Sequence, residues 1–441
     1  MNVQNRNINN VFFIFIISHL VIWTIVPSLT NKNLPLDTIE HLAWASNLDW
    51  GFPKHPPMVA FFSEFFFQIF GPQDWAFYLM PQIFMIISFY FIFKFANEIF
   101  NNQLFSLLSV LILESIFFYN YITPEFNVNI CQLPFWTLVV YFSWKIYNSK
   151  QIKFLDCLLL GVFSAFGFLT KYLFVFILFP IFLFFIYIIF IKKQKKFDFK
   201  YLISIEVFLV LLVPHIIWLF NNDFETINYA IKRSALDEKE IINHIKFPLI
   251  FILKQIGILL PFLILSWTLI KKFKFKINFN DKKLIFLFFI NILPIFMMLV
   301  VSIIFGSKVR TAWMVPFYLY FGILFIYLFK SRINIKKINL FINGFLFLFF
   351  LSPALYGFIS ITETDKRTDH PGKEIANKIQ IAWDSQFSST INEVIGDEWA
   401  GGNLTYHLKS RPEWNGFVTQ EKISRYKDYM CIDDNLCVGS K

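Results

Sequence analysis

Leu36 to Pro57, LDTIEHLAWASNLDWGFPKHPP, gathers ionisable side chains directly after a long apolar run. Charge beside hydrocarbon is costly, so function is the first explanation to test. Asp37 and Glu40 share a face at helical spacing. A carboxylate at a protein–membrane boundary can have its pKa raised towards that of a general base. The same pair also fits a capping box, with Asp in place of Ser or Thr, and the two roles are compatible. Lys54 and His55 precede Pro56-Pro57, so a rigid turn presents two potentially cationic groups, suited to a phosphate at headgroup depth. A snorkelling lysine and a capping histidine are the plainer alternative.

Further cations recur along the chain: Lys171 between two apolar runs, Lys232 and Arg233 in the loop 221–246, and Lys308 and Arg310 in the GSKVR turn at 306–310. An arginine beside a Gly-Ser turn suits bidentate phosphate binding. Asn127 and Asn129 in TPEFNVN (123–129), with Asp223 and Arg233, are candidate substrate-loop residues. Together these groups describe an anionic lipid headgroup held beside a base.

The elements that must position them are membrane spans. The chain of 441 residues is 56% hydrophobic, with mean hydropathy +0.56, yet carries a formal charge of +10. That pairing predicts a polytopic membrane protein with lysines in its loops, so the basic balance implies no nucleic acid partner. Apolar runs fall at 11–29, 75–96, 103–120, 130–147, 155–170, 172–191, 201–220, 247–270, 284–305, 311–329 and 339–361. The first is read as a retained span, because no small-residue cleavage pattern follows it. Residues 57–70 are too short to cross and read as an interfacial helix, started by Pro56-Pro57 and stopped by Gly71-Pro72.

With the N-terminus inside, the basic blocks fall on one side: Lys150 and Lys153, KKQKK at 192–196, Lys271, Lys272, Lys274 and Lys276, then Lys330, Arg332, Lys336 and Lys337. The segments with candidate chemistry then share the other side. From Thr362 the composition turns polar, which predicts a membrane domain at 1–361 and an outward C-terminal domain at 362–441. Within the latter, INEVIG (391–396) alternates like a strand and a helix could begin after GDEW. Cys431 and Cys437 suit a disulfide in an oxidising compartment, whereas Cys131 and Cys157 fall in spans as packing residues. No metal-ligand spacing, phosphate-cradling glycine loop or internal repeat is visible.

The first loop resembles that of the polytopic GT-C glycosyltransferases, the superfamily of protein O-mannosyltransferases and lipid A aminoarabinose transferases. There an acid opens the loop and His-Pro-Pro or Lys-Pro-Pro closes it. Similar segments continue at EFNVNICQLPFW (125–136), GFLTKY (167–172), PHIIWLFNNDF (214–224), VRTAWMVPF (309–317) and GDEWAGGNLTYHLKSRP (397–412). The ordered series points to the bacterial lipid A and core sugar-transferase branch. It implies an all-α GT-C bundle of about eleven to thirteen spans, with outward interfacial helices and a small C-terminal α/β domain. It also implies a bacterial inner-membrane enzyme that moves a sugar from a polyprenyl phosphate to lipid A or another envelope lipid or glycan on the periplasmic face.

In that resemblance Asp37 matches the acid assigned as catalytic base or acceptor-positioning group, with Glu40 beside it. His55 matches the position before Pro-Pro, and Lys54, Lys171, Lys308 and Arg310 are candidate donor-phosphate ligands. Lys54 departs from members that carry an acid there, so no metal requirement is expected, and no cofactor beyond the lipid-linked sugar. One inverting displacement needs one base and a stabilised leaving group. The alternatives are a protein O-mannosyltransferase-like enzyme and a lipid or sugar transporter; the latter calls for repeated halves and broken midplane helices, and no halves match. The sequence names neither sugar nor acceptor.

Overall fold

Apolar length becomes helix throughout the chain. The computed structural model describes residues 3–234, 240–274 and 277–440. Lys276 and the stretch 235–239 of the long loop lie outside the described residues. α1 (Val3–Thr30) is followed by two shorter helices, α2 (Leu36–Ser46) and α3 (Met58–Phe70), before the chain returns along α4 (Asp74–Phe100). Then come α5 (Gln103–Leu111), 3-10 turns at 112–119, α6 (Val128–Cys131), α7 (Leu133–Asn148), α8 (Phe154–Thr170) and α9 (Val175–Ile186). The bundle is completed by α10 (Lys200–Asn221), α11 (Glu225–Ser234), α12 (Asn243–Trp267), α13 (Lys282–Phe305), α14 (Phe321–Phe329) and α15 (Ile338–Thr362).

Each of the eleven apolar runs is helical. Among the described residues seven helices are long and apolar enough to cross a membrane, and the bent pair Thr311–Tyr318 with Phe321–Arg332 makes an eighth. The remaining runs, 103–120, 130–147 and 155–170, form shorter or broken helices. The protein is a multi-pass membrane protein. Aromatic packing supplies its core: Phe12 of α1 stacks on Phe93 of α4 at 4.1 Å, and Phe184 meets Phe286 at 4.9 Å. Leu209 and Val210 of α10, Leu253 of α12 and Phe347 of α15 stay exposed, as lipid-facing side chains do.

The intramembrane acids find different surroundings. Glu114 is buried 3.4 Å from His19 Nδ1, whereas Glu206 is exposed in the second turn of α10. Cys131 and Cys157 are buried and unbridged. At one end the basic loops lie together: Lys195 bonds the Ser149 carbonyl, Lys271 N–H donates to the Arg332 carbonyl (3.1 Å), and Lys283 reaches the Ile99 carbonyl (2.5 Å). α2, α3 and the loop 116–127 lie at the other end.

After α15 the chain forms α16 (Gly372–Gln386), β1 (Glu393–Ile395), α17 (Glu398–His407), β2 (Glu413–Trp414), α18 (Gln420–Ile423), β3 (Asp428–Asp433) and β4 (Leu436–Ser440). The strand read at 391–396 is β1, and the helix read near GDEW starts at Glu398, inside that motif. The sheet order is β2-β1-β4-β3, with β1 and β2 parallel and the other pairs antiparallel. Ile379, Trp383, Val394, Leu404 and Val438 make its core. A disulfide joins Cys431 to Cys437 across the β3–β4 hairpin. This segment is docked beside the start of α2 and on α4: Asn33 bonds Asn403 (2.8 Å), and Tyr406 bonds Asp74 (2.7 Å) at the head of α4.

Candidate active site

The first turn of a helix leaves backbone N–H groups without partners. Pro35 occupies the cap position of α2 and offers no side-chain acceptor, so the capping box expected from Asp37 and Glu40 does not form. The acceptor comes from elsewhere: Glu125 Oε1, in the loop 116–127, takes the Asp37 N–H at 3.1 Å. Thr38 Oγ1 donates to the neighbouring Phe126 carbonyl at 3.3 Å. Asn127, expected as a substrate-loop residue, bonds Glu125 and caps α6 through the Asn129 and Ile130 N–H groups.

Two carboxyls therefore meet at the head of α2. Burial raises both pKa values, and Asp37 repels charge on Glu125, which is pushed up to about 8. Lys54, Lys171 and Arg233 draw Asp37 back down. Glu125, at about 8, is the member that holds a proton at neutral pH, and the three cations around Asp37 favour its charged form against the burial that opposes it.

Lys171 is only 8% exposed at the turn between α8 and α9. Its ammonium donates to Asn129 Oδ1 at 2.6 Å and lies 5.6 Å from the Trp313 ring. Burial brings its pKa down to about 7, with Asp37 pulling the other way. Arg233 is exposed and lies over Tyr229 (5.9 Å), whose ring faces His55 at 6.3 Å. The structure thus brings Asp37, Lys171, Asn129, His55 and Arg233 into one region, together with Glu125, Tyr229 and Trp313.

Lys54 and His55 differ from the cationic pair expected before Pro56-Pro57. Lys54 Nζ lies 3.0 Å from Glu40 and 3.3 Å from Glu398, so two carboxylates already take its charge. Burial works against that charge, but the two acids outweigh it and raise the lysine pKa. His55 packs edge-on to Trp44 at 6.1 Å; burial, with Lys171 and its neighbouring cations, holds it well below its ordinary pKa. It is a neutral ring at physiological pH, packed between Trp44 and Tyr229.

The loop that carries them is pinned from α10 and α11. Trp218 Nε1 donates to Asp49 Oδ2 (2.7 Å), His215 Nδ1 meets the Trp50 carbonyl (2.6 Å), and Thr226 Oγ1 donates to the Phe52 carbonyl (2.9 Å). Gly51 lies against the Trp218 ring, where a Cβ would come within 2.3 Å. Spacing alone could have flagged His215 and Trp218, three residues apart on one helix, as facing a common target.

The other expected residues stand apart. Lys308 and Arg310 are exposed, with no carboxylate partner among the described residues, and they are not among the cations acting on Asp37. Asp223 is exposed in the turn after α10, at φ +48°. Glu64 of α3 pairs with Arg411 at 3.1 Å.

Residues 54–218 match the family described as dolichyl-phosphate-mannose-protein mannosyltransferase. The match starts at Lys54 and ends at Trp218, so it contains Glu125 and Lys171 but not Asp37. No curated protein matches the sequence. Among solved structures, the chain is similar to ArnT from Cupriavidus metallidurans bound to undecaprenyl phosphate, at 12% identity and TM-score 0.65 over 97% of each chain. The same protein in the apo state aligns at 11% identity and TM-score 0.59, over 94% of this chain and 87% of that one. These findings bear out the resemblance carried by the first loop: the chain has the fold of the polytopic GT-C glycosyltransferases.

Proposed function

We propose that this chain, built on the GT-C fold, is an inverting glycosyltransferase that moves a sugar from a polyprenyl phosphate to lipid A or a related envelope lipid or glycan. The observation that carries the reading is the head of α2, where Asp37 stands beside Glu125 in the field of Lys171 and Arg233. An acceptor oxygen attacks the anomeric carbon, its proton passes to Asp37, and the sugar–phosphate bond breaks with its electron pair leaving on the polyprenyl phosphate. Lys171, with Arg233 at the rim, offsets the charge on that phosphate. Glu125, keeping its proton, leaves Asp37 as the basic member of the pair. The donor already carries a good leaving group, so the displacement needs neither a nucleotide nor a metal.

The acceptor sets how much Asp37 must do. A sugar hydroxyl must lose a proton, whereas a phosphate monoester, with a second pKa of about 6, is already largely ionised. A protein hydroxyl acceptor, as in the matched family, would make the same demand as a sugar. The similar fold of an undecaprenyl-phosphate-bound protein supports a polyprenyl donor, and the clustering of basic loops at the opposite end supports a site on the periplasmic face of the inner membrane. Mass spectrometry of lipid A, core glycan and envelope proteins from cells with and without the gene tests the reading. Loss of a sugar-sized increment from lipid A is expected; an unchanged lipid A profile overturns that acceptor.

A further inference from the structure

Glu398 reaches the site from the C-terminal segment, far along the chain from the first loop. It is 6% exposed, and its carboxylate lies 3.3 Å from Lys54 Nζ. Asp397 caps α17 through the Ala400 N–H at 2.7 Å, which leaves the Glu398 carboxylate for Lys54. Lys54 in turn holds Glu40 at 3.0 Å, one helical turn after Asp37 on α2.

The rest of the C-terminal segment grips the same helix. A Cβ on Gly402 would meet the Ile39 carbonyl at 2.6 Å, so α17 approaches α2 closely there. Arg411 donates to the Leu42 carbonyl (3.1 Å), and the Trp414 N–H donates to Ser46 Oγ (2.8 Å). These contacts fix where α2 lies; the Glu398–Lys54–Glu40 chain fixes how it is turned and joins it to the loop 47–57. A buried carboxylate beside Glu40 and Glu225 is costly, and an apolar residue would fill the space more cheaply.

We infer that Glu398 is a positioning residue of the transfer site, holding Lys54 against Glu40 so that α2 aims Asp37 and the C-terminal segment closes as one wall of the site. This rests on the transferase reading only in taking Asp37 as the base.

The full chain in lipid nanodiscs provides the test, read by hydrogen exchange and by transfer from a polyprenyl-phosphate-linked sugar. Glu398→Gln, which keeps the shape and removes the charge, is expected to speed exchange in 47–57 roughly ten- to hundred-fold. It should lower kcat by a similar factor while the donor KM stays near the original. Glu398→Asp keeps the charge and should retain more activity than the glutamine variant. In the Lys54→Met background, Glu398→Gln should add nothing, because it acts through that lysine. Unchanged exchange and kcat in Glu398→Gln, or effects of the two substitutions that add, overturn the inference. Should Glu398→Gln not assemble, Lys54→Met decides: exchange must quicken in both 36–46 and 398–407, and unchanged exchange in both overturns it. The exchange arm judges the clamp, and transfer by the unsubstituted chain judges the transferase reading.

Discussion

Lys171 gives the sharpest pH prediction. Burial holds its ammonium at about 7, against 10.5 for a free lysine, so the folded site disfavours the charge by roughly 5 kcal/mol. The sign follows from the direction. A base with a lowered pKa loses its charge as pH rises through the folded value, so about nine-tenths of the chains carry it at pH 6 and about one-tenth at pH 8. If that charge stabilises the departing phosphate, the transfer rate falls about tenfold per pH unit above 7, the limb following the Lys171 titration. Below that limb, protonation of Asp37, whose pKa is raised by burial, takes the rate down on the acid side. Lys171→Arg stays charged throughout and should remove the alkaline limb, at some cost in rate from its different shape. Lys171→Met should abolish transfer and yet raise thermal stability. The native lysine costs the fold most below pH 7, where it is charged in both states; between pH 7 and 10.5 the unfolded chain binds a proton that the folded chain does not, so stability rises with pH and the penalty is gone above 10.5. Transfer rates from pH 5.5 to 9 for the three chains, with melting temperatures at pH 7.5, check both arms. An alkaline limb that persists in Lys171→Arg, or a less stable Lys171→Met, refutes the assignment.

Two further predictions concern the loop and the reaction. Gly51→Ala forces a Cβ to within 2.3 Å of the Trp218 ring; overpacking of this kind costs about 1–3 kcal/mol, so faster hydrogen exchange in 47–57 and a lower transfer rate are expected, and wild-type exchange would contradict the packing described. Prolonged chelation with EDTA should leave the transfer rate unchanged, and a loss restored by Mg2+ or Mn2+ would show that a metal is needed.

The legible part of the chain was the part written locally. The first loop holds Asp37, Lys54 and His55 within one stretch, and lysines mark one end of the spans because loop charge needs no tertiary structure to be seen. The segments EFNVN and PHIIWLF were visible as segments, but not the work of Glu125 or Trp218 in them. Glu125 caps a helix across the fold because Pro35 cannot, and Trp218 grips Asp49 from another helix. The first partnership leaves no period or spacing in the sequence; the second leaves only the His215–Trp218 spacing, which marks a shared face but not its partner. The same gap explains Lys54. Its neighbours in sequence suggested a free cation, whereas Glu40 and Glu398 neutralise it in space. His55 lost its expected charge to burial, which sequence alone does not measure.

The central claim is that Asp37 takes the acceptor's proton at the head of α2. Single-turnover transfer by Asp37→Asn in nanodiscs, with a polyprenyl-phosphate-linked sugar, tests it most directly. The variant should still bind undecaprenyl phosphate but transfer at least about a hundredfold more slowly, the scale of a lost general base. Transfer at close to the original rate would contradict it.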